Sequence, residues 1–238
     1  MIIADQIFSG ERPLYESTDL TVQGISVGMG ESALKECSRV VAQRCHFHGL
    51  YIFWEGEQIT CEDSVFYDTS RASMWYGNYY RFHHCQIFSP KPFREIDNLT
   101  VRQCTIHGGT ESFWKCRDVH IADTELLDAE YCFLHAKEAI ITRLTETGKY
   151  AFQYCSNIRI DHSSLTTKDA FWESDNCTIC DTELHGEYLG WYSRNLRLVR
   201  CHISGTQPLC YCRNLVLDHC TFAEDADRAL ERSTYTIL

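Results

Sequence analysis

Between Lys149 and Tyr192 the sequence gathers side chains suited to recognising and cleaving a sugar. Asp169, Glu173 and Glu187 stand among Tyr150, Tyr154, Trp172, Tyr188, Trp191 and Tyr192, with Lys149 and Lys168 beside them. Indole and phenol rings offer flat apolar faces to the C–H faces of a pyranose, and neighbouring carboxylates accept hydrogen bonds from its hydroxyls. Two carboxylates flanking a glycosidic bond act as acid and base, about 5 to 5.5 Å apart for retention and about 6.5 to 9.5 Å apart for inversion. Asp169 and Glu187 are the leading pair and Glu173 is the third candidate. Two close carboxylates resist simultaneous ionisation, which raises one pKa; Lys149 and Lys168 oppose this by stabilising both anions as ion pairs. The aromatic side chains also have a structural reading, as a stacked ladder that stabilises the fold.

The elements that must position these groups are set by a repeat of 19 to 21 residues. Its anchor column is Leu20, Val40, Ile59, Tyr80, Leu99, Val119, Ala139, Ile158, Cys177, Leu196 and Leu215. Two residues further on lies a second, mostly apolar column from Val22 to Leu217, and period two predicts a strand. A small or thiol column follows at five residues (Cys45, Ser64, Cys85, Cys104, Thr124, Ser163, Cys201), with an apolar one two later (Phe47, Phe66, Ile87, Ile106, Leu126, Leu165, Leu184). The change of interval from two to three predicts a bend. Asp19, Asn98, Asp118, Asn157, Asn176, Asn195 and Asn214 directly precede anchors, and such residues tolerate left-handed backbone.

A repeat this short holds no helix pair, and neither a six-residue nor a five-residue aliphatic spacing persists. The expectation is an all-β, right-handed parallel β-helix of about eleven coils. It forms one domain over residues 1–238, with 1–19 an N-terminal cap or incomplete coil, 20–222 the coils and 223–238 a C-terminal cap. Tyr235 and Ile237 begin a last strand.

Six residues before each anchor runs a column without polar side chains, including Phe53, Met74, Phe93, Phe113, Phe133, Phe152 and Phe171. Next to it runs Trp54, Trp75, Arg94, Trp114, Leu134, Gln153, Trp172 and Trp191. Arg94 and Gln153 are costly in a dry core, so the Phe column is expected inside and the Trp column at a half-exposed corner. Strict alternation offers the opposite arrangement, with Ile52, Ser73, Ser112, Cys132, Ala151 and Ala170 inward beside Trp and the Phe side chains outward. Flanking positions such as Tyr131 and Tyr150 on one side, and His135 and Tyr154 on the other, are expected outside.

The 14 cysteines fall mainly into repeat columns that alternate with Ser and Thr, which reads as interior packing. Cys177 and Cys180 have a C-x-x-C spacing but fall in different columns, and the 11 histidines scatter. No metal and no cofactor are expected. A formal charge of −11 argues against nucleic acid and an anionic membrane as partners. No apolar run reaches membrane-spanning length, and no leader pattern opens the chain. Abundant thiols without a leader point to the cytoplasm.

Two segments, FSGERPLY (Phe8–Tyr15) and GESALKECSRVV (Gly30–Val41), resemble the signatures of a bacterial family of uncharacterised proteins, domain of unknown function 3737. Gly10, Glu11, Gly30, Glu31, Lys35 and Glu36 carry the likeness. It implies a right-handed β-helix of the pectin-lyase type and supplies no activity. Enzymes of that type resemble one another in a tight aspartate cluster, for which Asp175 and Arg194 are weak substitutes here. The functional expectation is a carbohydrate-directed protein that binds or processes an oligosaccharide. The alternative is a non-catalytic scaffold, with a homodimer as its expected partner.

Overall fold

Leu20 pairs with Val40, Val40 with Ile59, Tyr80 with Leu99, and Leu99 with Val119, all in parallel. The period-two columns therefore become strands at the register the repeat sets. The computed structural model describes residues 1–238 as strands and turns, without helix. The chain winds as a right-handed β-solenoid of about 12 turns, each of about 19 residues. Winding starts before Leu20, since Ile2–Ala4 pairs with Thr21–Gln23 and Ile7–Glu11 with Ser26–Glu31. At the other end Tyr235–Ile237 pairs with Leu215–Leu217.

Each turn is closed by left-handed residues. The position before the anchor has positive φ in every coil from Asp19 to Asn214, in Arg39, Gln58, Tyr79 and Glu138 as well as in the Asn and Asp foreseen. A second such column, Arg44, Asp63, His84, Gln103, Asp123, Arg143, His162, Asp181 and Arg200, makes the bend where the interval changes. A left-handed non-glycine residue costs about 1 to 2 kcal/mol. Here its peptide groups are held on both sides: the Phe133 N–H donates to Ser112 O of the coil before, and the His135 N–H to Gln153 O of the coil after.

At the third corner the two sequence alternatives merge. The Phe column is fully buried, and so are Ile52, Ser73, Ser112, Cys132, Ala151 and Ala170 directly before it. Two consecutive side chains turn inward because flanking residues such as Tyr131 and His135, and Phe133 itself, are left-handed and break the pleat. Trp54, Trp75, Trp114, Trp172 and Trp191 are half-buried. Inside, Phe93, Phe113, Phe133, Phe152 and Phe171 stack with centroids 4.5 to 5.0 Å apart.

All 14 cysteines are unbridged, and all but the half-buried Cys220 are buried. Cys180 is buried too, although it lies outside the inward series and pairs in register with Asp161. One residue breaks the interior. Glu146 occupies the apolar column between Leu126 and Leu165, fully buried, with neither carboxylate oxygen hydrogen-bonded. Burial alone raises its pKa to about 8.

Candidate functional site

The downstream corner brings together most of the residues the sequence singles out. Tyr131 and Tyr150 stack at 4.7 Å, His135 and Tyr154 at 5.1 Å, and Tyr192 and Tyr211 at 5.1 Å. Trp172 lies 5.7 Å from Trp191 and 5.4 Å from Tyr192, while Tyr188 meets Trp191 edge to face at 4.7 Å. Backbone carbonyls anchor two side chains of this corner. The Trp191 indole N–H donates to Gln207 O, and Gln153 fills the same role with its amide to Asp169 O. The ring tips remain in solvent, with Tyr131, Tyr154 and Tyr192 exposed by 39, 43 and 43%.

Left-handed backbone at Tyr150, Tyr154, Asp169, Glu173, Tyr188 and Tyr192 does not by itself mark function, because Glu16, Glu36 and Glu55 adopt it at equivalent corners. What distinguishes the downstream coils is the side chain each corner carries.

The carboxylates divide between two sides of the corner. Asp169 lies in a shallow groove of about 310 Å³ with Tyr131, Tyr150, Gln153, Tyr154 and Trp172. Its pKa is raised, first by partial burial and further by Glu187, against the lowering influence of Lys168. The Asp169 N–H donates to Glu187 O, so the two backbones are in contact as the column positions require. The Glu187 side chain is engaged by Lys168 at 3.0 Å, and Lys149 pairs with Glu130 at 2.8 Å. The lysines thus form separate ion pairs instead of bracketing both candidate carboxylates. Glu173 lines a different groove of about 460 Å³, with Asp175, Tyr192, Arg194, Tyr211 and Arg213.

Two features escape the sequence reading. An upstream aromatic cluster matches the downstream one: Trp54 and Trp75 stack at 5.4 Å, and the Arg94 guanidinium lies 4.8 Å from both the Trp75 and Trp114 rings. The regular Trp spacing was the available signal, with Arg94 filling one rung. The other is Glu146, whose signal was the missing apolar residue in its column.

Asp161, His162 and Asp181 bring potential ligand atoms within 4.8 Å of one another. Arg200 already holds Asp181 by two hydrogen bonds, His162 lies 3.0 Å from Asp161, and Arg159 lies 3.7 Å from it. Similar pairs recur on this bend at Asp63–His84 and Asp123–Arg143, so the arrangement is a corner ion-pair ladder.

A family model described as "Protein of unknown function (DUF3737)" matches residues 1–237. No curated protein matches the sequence. Among solved structures the chain is similar to the Azotobacter vinelandii mannuronan C-5 epimerase AlgE4 A-module, at 9% identity and TM-score 0.42, covering 100% of this chain and 79% of that one. It is also similar to an alginate lyase from Paenibacillus, at 7% identity and TM-score 0.42, over 97% of this chain and 99% of that one. A third likeness is to PfbA, a surface adhesin of Streptococcus pneumoniae, at 10% identity and TM-score 0.38, over 99% and 67% of the respective chains.

Proposed function

The chain belongs to the family of proteins of unknown function DUF3737, and from that premise we propose that its downstream aromatic corner binds an oligosaccharide. The carrying observation is the row of mutually stacked tyrosine and tryptophan rings, with exposed faces and Asp169 set among them. Rigid aromatic faces lose little conformational entropy on binding, and a partly buried carboxyl supplies a directional acceptor. Binding fits this geometry better than hydrolysis, because Glu187 is engaged by Lys168 and Glu173 faces another groove. The buried, unbridged thiols suit a reducing, cytoplasmic setting.

A glycan array followed by calorimetry tests the reading. Trp172→Ala and Trp191→Ala are each expected to weaken affinity at least about tenfold, and Asp169→Asn to change it little. Binding to no glycan would sink the proposal. Cleavage by the wild type with about a 100-fold loss in Asp169→Asn would convert binding into processing.

A scaffold is the second reading, favoured by the N-terminal end, where Ile2 and Ile7 are exposed on the edge strands and Met29 on the next strand in. Such an edge pairs readily with a second copy. Sedimentation should then give a concentration-dependent dimer that Ile7→Asp abolishes; a monomer at high micromolar concentration would remove this alternative.

A further inference from the structure

Alongside the aromatic corner runs a line of cations that the chain's own acids leave largely unneutralised. Asp97, Arg117, Lys137 and Ser156 are successive register partners on four coils, and Asp175, Arg194 and Arg213 continue the same column by isolated bridges. Arg117 therefore stands directly beside Lys137, and Arg194 beside Arg213, one strand spacing apart. Like charges in direct register destabilise a sheet. The neutralisation nearby is slight: Lys115 reaches Glu95 only at 3.9 Å and Arg117 reaches Asp97 only at 3.9 Å, while Arg94 draws Glu95 away at 3.3 Å. Lys137, Arg194 and Arg213 form no ion pair at all, in a chain of net charge −11.

These cations line concave surface. Lys115, Arg117, His135 and Lys137 surround a groove of about 500 Å³ with Glu95 and Asp97 at one end, and Arg194 and Arg213 line the groove of about 460 Å³ further along. Partial burial and the positive field of Lys115 and Lys137 together lower the pKa of His135. In the tip column Tyr154 and Glu173 stand between the two cationic steps, and Tyr192 and Tyr211 stand beside Arg194 and Arg213. An aromatic row on one wall and a cationic row on the other is a surface for a ligand with pyranose faces and regularly spaced anions.

We propose that this groove binds an acidic oligosaccharide lengthwise along the solenoid, its rings against Tyr154, Tyr192 and Tyr211 and its carboxylate or sulfate groups on Lys115, Arg117, Lys137, Arg194 and Arg213. The proposal rests on the carbohydrate reading above and adds the charge class of the ligand. A short acidic sugar fits better than a nucleic acid because its pyranose faces lie on the tyrosine rings and because the field of a chain of net charge −11 opposes a long polyanion more than a short one.

Calorimetry at low and high salt separates the cases, with a neutral cello-hexaose, a hexagalacturonate, a sulfated hexasaccharide and a single-stranded DNA decamer as probes. An acidic hexasaccharide should bind at least about tenfold tighter than the neutral one at low salt, with the preference collapsing at about 0.5 M salt. The double variant Arg194→Gln/Arg213→Gln, and separately Lys137→Gln, should bring the affinity for the acidic sugar towards that for the neutral one. The favoured sugar should raise the His135 imidazole pKa, read by NMR. Comparison of the carboxylated and sulfated probes identifies the anion. Equal affinity for neutral and acidic sugars would overturn this proposal and leave the corner reading standing; binding of neither would overturn both. Tighter binding of DNA than of either acidic sugar would replace the saccharide by a nucleic acid.

Discussion

The upstream and downstream aromatic clusters occupy the same corner of the repeat on different coils, yet only the upstream one carries a guanidinium between two indoles. Upstream, Arg94 lies between Trp75 and Trp114, and the Trp54 and Trp75 indoles donate to the backbone carbonyls of Ala72 and Lys91. Downstream, Trp172 and Trp191 sit on adjacent coils with no rung between them, and the nearby cations lie over tyrosines: Lys149 over Tyr150 at 5.6 Å, Lys168 over Tyr188 at 5.5 Å and Arg232 over Tyr211 at 5.8 Å. A planar guanidinium packs as a third ring, whereas an ammonium on a flexible stem is readily displaced. The position is shared, so the cation set between the indoles, and not the presence of tryptophan, separates the two clusters.

The largest expected effect lies in the coil where one cluster gives way to the other. Glu146, with Cys132 the one titratable group shown influencing or influenced by it, has a folded pKa of about 8 against an ordinary 4.5. The folded state thus holds a proton that the unfolded state releases between these values. This stabilisation is complete below about pH 4.5 and is lost as pH rises through 8, a change on the order of 4 to 5 kcal/mol. Urea denaturation of the wild type should show that decline, and Glu146→Leu should flatten it and raise stability at pH 8. Equal pH profiles for the two proteins would mean that the carboxyl finds water or a partner. Hydrogen exchange at alkaline pH should open Lys137–Lys149 before either cluster, which would make the changeover the weak point between two sturdier halves.

A smaller effect sharpens the contrast directly. Arg94→Ala removes the guanidinium from both indole faces and should cost about 1 to 2 kcal/mol through lost cation–π and stem contacts; it should also uncover the facing Trp75 and Trp114 rings for a ligand. Stability measurement checks the first expectation, and calorimetry with the sugar bound downstream checks the second. The smallest change is expected for Lys168→Ala, which frees the Tyr188 face and Glu187 together. Its stability should match wild type, since the pair is exposed, while its neutral-sugar affinity rises modestly. A marked loss of stability would place Lys168 with Arg94 as a structural plug.

Most of the coil was legible because its columns obey a local rule: apolar side chains alternate on strands, and Asn or Asp marks left-handed corners. The same corners at Arg39, Gln58, Tyr79 and Glu138 were not legible, since those residues have no preference for that backbone and adopt it because both neighbouring coils require it. The third corner was ambiguous for a related reason. Alternation forbids Ala151 and Phe152 from both facing inward, and left-handed Phe152 permits it. Asp169 and Glu187 were correctly placed on touching backbones, but the sequence could not assign their partners: the choice of Lys168 for Glu187 and Glu130 for Lys149 depends on side-chain reach across coils. Arg94 was read as too costly for a core, and it stands half-buried at the corner, between two indole faces whose contact the spacing alone did not reveal.

The thiol columns also give the molecule a built-in record of its own opening. Cysteines lie at intervals from Cys37 to Cys220, and all but the last are buried, so an alkylating reagent reaches each one only when its coil separates from its neighbours. Burial raises the Cys37 and Cys212 pKa values to about 11, which suppresses background reaction there in the closed state, whereas the half-buried Cys220, lowered to about 6 by its hydrogen bond with Cys201, reacts without opening. A brief pulse of reagent followed by peptide mass analysis would then read the order in which the rod unwinds, coil by coil, without any introduced label.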